Sequence, residues 1–98
     1  MYKALYFEEV FTDIQQAKEW YKKQLVGLEE RFAKCIEDAI LKILEMPSAY
    51  TIRHKNIRIA HPKTFPYNIH FYIEEDTKTV IFIGIVFNQK KDALEIKR

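Results

Sequence analysis

Hydrophobic periodicity changes from helical to alternating beyond Pro47, and the change limits the folds open to this chain. Before Pro47, apolar residues recur at three- and four-residue steps. Ile14, Ala17, Tyr21 and Leu25 form one stripe with Trp20 beside it; Leu28, Phe32, Ile36, Ala39, Ile40, Ile43 and Leu44 form a stronger second one. Such spacing gives a helix one apolar face, and Glu29, Glu30, Lys34, Glu37, Asp38 and Lys42 largely occupy the rest of the second run. Gly27 separates the runs and Pro47 ends the second, so the pattern predicts a helical hairpin. Its first helix is expected to start at Thr12, a hydroxyl cap with Gln15 three residues on.

Beyond Ser48-Ala49-Tyr50 the period becomes two, the repeat of a strand with unlike faces. Ile57 and Ile59 then share a face with Arg53, Lys55 and His61, opposite His54, Asn56, Arg58 and Ala60. After the turn Lys63-Thr64-Phe65, bracketed by Pro62 and Pro66, Tyr67, Ile69, Phe71 and Ile73 oppose Asn68, His70, Tyr72 and Glu74. Glu75 to Lys78 reads as a hairpin connection, and Val80 to Phe87, apolar on both sides, as a central strand. Tyr2 to Phe7 reads as a first strand, and Asn88 to Arg98 as a charged tail with a short helix from Asp92. The 98 residues are expected to form one α+β domain, residues 1–98: a mostly antiparallel four-stranded sheet with both helices on one face. The uncovered face is then expected to gather His54, Arg58, His70 and Tyr72 into one patch.

Charge is distributed unevenly. The net charge is only +2, yet Arg53, Lys55, Arg58, Lys63 and all three histidines lie between Pro47 and Ile73 with no Asp or Glu among them. A local positive field of this kind faces phosphate or carboxylate groups; the plainer reading is a solvated strand edge whose cations block edge-to-edge pairing. Lys90 and Lys91 add a second basic pair in the tail. The histidines lack a ligand spacing and have no Cys pair or acidic cluster beside them, so neither a metal nor a cofactor is expected. Cys35 cannot form an internal disulfide and reads as a buried thiol in a reducing compartment. No apolar leader follows Met1 and no 18-residue apolar window occurs, so the expectation is a cytoplasmic protein with no membrane contact.

One family resemblance spans nearly the whole chain. It is carried by Asp13 and Ala17 ahead of Trp20-Tyr21, by Gly27-Leu28 with Phe32, by Ile43 through Pro47 with Tyr50, and above all by Phe65-Pro66-Tyr67-Asn68-Ile69-His70-Phe71-Tyr72-Ile73. In these the chain resembles the RelE/ParE superfamily of bacterial toxins, nearest to the ParE-like plasmid-stabilisation proteins. Such proteins often end the last strand with a His and place an Arg-Asp pair soon after; Asn88 and Lys91-Asp92 stand there instead. The resemblance implies a toxin of a toxin–antitoxin system that inhibits growth by binding a macromolecular target such as DNA gyrase. The target or the antitoxin would engage Arg53, Lys55, Arg58, Lys63, Lys90 and Lys91, an antitoxin acidic in its binding part complementing the first four, with a homodimer or a hetero-oligomer with the antitoxin as the assembly. A RelE-type alternative implies metal-free cleavage of mRNA on the ribosome, with Arg58 clamping phosphate, His54 or His70 moving protons, and Tyr72 stacking on a base. A third implication is a toxin-like binding module without toxicity.

Overall fold

The computed structural model describes residues 1–88. Their elements are β1 (Lys3–Tyr6), α1 (Glu8–Gln24), α2 (Leu28–Glu45), a 3-10 turn (Pro47–Ala49), β2 (Ile52–His54), β3 (Ile57–Ala60), β4 (Tyr67–Glu74) and β5 (Thr79–Phe87). α1 begins before Thr12, at Glu8. Glu8 and Glu9 occupy its first turn, where carboxylates meet the positive end of the helix dipole, and no side-chain cap is used. The earlier start adds Val10 to the core as a fully buried side chain. Gly27 turns the chain into α2 with φ 90°, and its N–H donates to Glu29 Oε1 at 3.1 Å.

The sheet has five strands in the order β1-β5-β4-β3-β2. Neighbours are antiparallel except β1, which runs parallel to β5 with Lys3 opposite Thr79 and Tyr6 opposite Phe82. The α+β class and the central place of the last strand therefore stand, and the strand count rises by one. The stretch read as a single strand across Arg53 to His61 folds back on itself at Lys55-Asn56, with Lys55 in the left-handed region at φ 54°. Among the described residues no helix is long and apolar enough to cross a membrane. The expected tail helix from Asp92 lies outside the described residues.

Directly opposed residues on paired strands share a face. Phe71 opposite Phe82 and Ile69 opposite Ile85 and Ala60 form the floor on which the helices sit. Onto it α1 delivers Val10 and Ala17, and α2 delivers Phe32, Ile36, Ile43 and Leu44. Phe65 closes one end, with its ring 4.9 Å from Tyr21 and 5.4 Å from Phe32, both edge-on. Burying each such aromatic contributes roughly 1.5–3 kcal/mol through its apolar area. His70, opposite both Gly84 and Ile59, faces away from the helices, as do Asn68 and Tyr72.

The register corrects the faces of β3. Arg58 lies opposite Phe71 and hence on the side of α1 and α2, whereas Ile59 lies opposite His70 on the other side, where only 5% of it is exposed. Side chains alternate at every residue, so the reversal at Lys55-Asn56 and the register it sets exchange the two faces relative to expectation.

Candidate functional site: the basic half of the sheet and its clefts

The cationic stretch does not converge on one patch. Arg58 donates from Nη1 to the carbonyl of Tyr50 at 2.5 Å and to that of Ser48 at 3.4 Å, which ties the segment after α2 to the sheet. Both bonds leave from the same nitrogen, so Nη1 acts as a structural clamp on that segment. His70, expected on an open surface, is 1% exposed. His54, exposed in the edge strand β2, and the half-buried Tyr72 are the members of the expected nuclease set that remain within reach of solvent on the face away from α1 and α2. Arg53 and Lys55 are exposed at the same sheet edge, and Lys63 in the β3–β4 turn at the opposite end of β3. Lys90 and Lys91 lie outside the described residues.

One pair went unrecognised in the sequence. His61 Nδ1 lies 2.6 Å from Asn68 Oδ1. An amide oxygen only accepts, so the imidazole nitrogen is the donor and the ring is held with Nε2 on its far side. The two residues lie seven apart across a turn. Their meeting depends on the β3–β4 register, which alternation alone does not fix.

Two further surfaces are apolar. Between the helices and β1, a cleft of about 390 Å³ is lined by Tyr6, Phe11, Ile14, Ile36, Ile40 and Leu41, with Phe11 and Leu41 exposed at its rim. Beside β5, a cleft of about 370 Å³ runs past Trp20, Tyr67 and Phe87. There β5 outlasts its pairing with β1, and Asp13 Oδ2 accepts the Ile85 N–H at 3.0 Å in place of a strand. Burial pushes the hydroxyls of Tyr6, Tyr21 and Tyr67 above the ordinary tyrosine range, and at Tyr21 the neighbouring Tyr67 and Cys35 add to the effect. Among the described residues no group of three or more His, Cys, Asp or Glu side chains is placed to hold a metal ion.

The fold is shared with solved structures from ParDE and RelBE toxin–antitoxin systems. A chain of the chromosomal ParDE toxin–antitoxin system of P. aeruginosa superimposes with a TM-score of 0.76 at 11% identity, over 89% of this chain and 96% of that one. The isolated E. coli RelE toxin gives a TM-score of 0.61 at 12% identity, over 96% of this chain and 92% of the other. The intact E. coli RelBE toxin–antitoxin complex gives 0.58 at 13% identity, over 88% and 95%. No protein-family model matches the sequence, and no curated protein is significantly similar to it. At these identities the likeness speaks for backbone architecture alone.

Proposed function

We propose that this chain is the toxin of a toxin–antitoxin pair of the ParE-like, plasmid-stabilising kind, arresting growth by binding a macromolecular target such as DNA gyrase and held inactive by an antitoxin. The observation that carries the reading is the dispersal of the nuclease set. In-line cleavage of RNA needs a base, an acid and cations over one phosphate, and here Arg58 is committed to Tyr50 and Ser48 while His70 is buried. The exposed features instead suit protein partners: an apolar cleft between helices and β1 fits an amphipathic helix, and a basic sheet edge fits an acidic strand. The higher TM-score with the ParDE chain than with either RelE structure favours the same side.

Induction of the chain in a bacterium is expected to stop growth, with relief on co-expression of its antitoxin and unchanged mRNA ends by primer extension. Uninterrupted growth at full expression of folded protein would remove the toxin reading. A RelE-type interferase is the second reading, favoured by the oriented His61 on the face that also carries Tyr72 and His54; new mRNA ends after induction would select it.

A further inference from the structure

Two clefts on the flank of α2 share Cys35, Asp38 and Thr64, and so form one continuous groove between that helix and the β3–β4 turn. Arg31, Lys34, Asp38 and Lys42 stand at successive turns along its helical wall. Lys63 stands across from them in the turn, and Cys35, Ala39 and Ala60 give the groove an apolar floor. From Arg31 to Lys42 the helix rises about 16 Å at ~1.5 Å per residue, the length of roughly five extended residues.

Charge decides what fits. Asp38 is held by Lys34 at 3.2 Å, whereas Arg31, Lys42 and Lys63 have no ion-pair partner among the described residues. The surplus is positive, but Glu30 and Asp38 interrupt it. A continuous phosphate backbone would meet both carboxylates; a chain with spaced charges need not. An extended peptide turns successive side chains to opposite sides, setting acidic groups against the cationic walls and small apolar groups on the floor.

From this charge pattern we infer that the groove binds an extended, acidic, apolar-alternating peptide segment of a partner protein. The inference deepens the toxin–antitoxin reading by naming the chemistry of one strip of the partner. Its test reads peptide binding by the purified chain, not growth, so the two fail separately.

The probe is a fluorescein-labelled octapeptide alternating Leu and Glu, compared by anisotropy with a Leu–Lys octapeptide and a uridine octanucleotide. The acidic peptide is expected to bind tightest, to weaken with salt, and to lose affinity about tenfold in Lys42→Gln/Lys63→Gln, since charge complementarity across an interface is removed. Cys35, the single cysteine of the chain, reports on position. Its reaction with a disulfide reagent is expected to slow several-fold when peptide is bound to the unsubstituted chain. Equal binding of the Leu–Lys peptide, tighter binding of the uridine octanucleotide, or a Cys35 rate unchanged at saturating peptide would each overturn the inference.

Discussion

Arg58 and the half-buried tyrosines Tyr21 and Tyr67 show what single side chains contribute here. Arg58 holds two carbonyls of the segment between α2 and β2, and hydrogen bonds from a charged donor are worth more than neutral ones. Arg58→Ala is therefore expected to lower unfolding stability by about 1–2 kcal/mol in a urea titration, with Arg58→Lys recovering part of it. Any loss of biological effect in Arg58→Ala should then follow the loss of folded protein. The tyrosines give a pH dependence. Burial raises Tyr21 and Tyr67, so their neutral forms are favoured in the folded state. That contribution is complete below the unfolded value near ~10 and is lost as pH rises through the higher folded values. Stability measured by denaturant titration should fall as pH is raised above about 10, and Tyr67→Phe should flatten the fall.

Among the elements, the helical hairpin turns on Gly27. An added Cβ there meets no heavy atom within 4 Å, so Gly27→Ala involves no clash and only the strain of a φ of 90°. A loss of about 1 kcal/mol in thermal or urea unfolding is expected, and Gly27→Asn should lose less, because asparagine tolerates left-handed backbone better. The hairpin was legible in the sequence because Phe32, Ile36, Ile43 and Leu44 keep strict helical spacing and all become buried. The apolar face of β4 was legible for the same reason, through Ile69 and Phe71. The β2–β3 reversal was not, since Lys55-Asn56 contains no glycine or proline and a lysine takes the left-handed place. With that turn missed, Arg58 fell on the wrong side and the oriented pair His61–Asn68 went unseen. Cys35, read as a buried thiol, is half-buried at the edge of two clefts, because α2 meets the β3–β4 turn there along an open groove.

For the whole molecule, one cluster of buried side chains joins both helices to β3, β4 and β5. A core this connected should unfold as a unit. Phe32→Ala is expected to cost about 3–5 kcal/mol by removing a fully buried ring. Melts followed in the far and near ultraviolet should nevertheless stay coincident for that variant.

The parallel pairing of β1 with β5 bears on when the domain can exist at all. Lys3 meets Thr79, so β1 must wait for β5 to be made, a delay on the order of 4–15 s at typical elongation rates of ~5–20 residues per second. During that interval the floor beneath Phe32, Ile36 and Ile43 lacks Val80, Phe82 and Ile85. A nascent chain interrupted short of β5 carries no finished surface for any partner to meet, and activity of either sign is deferred until that strand has been made.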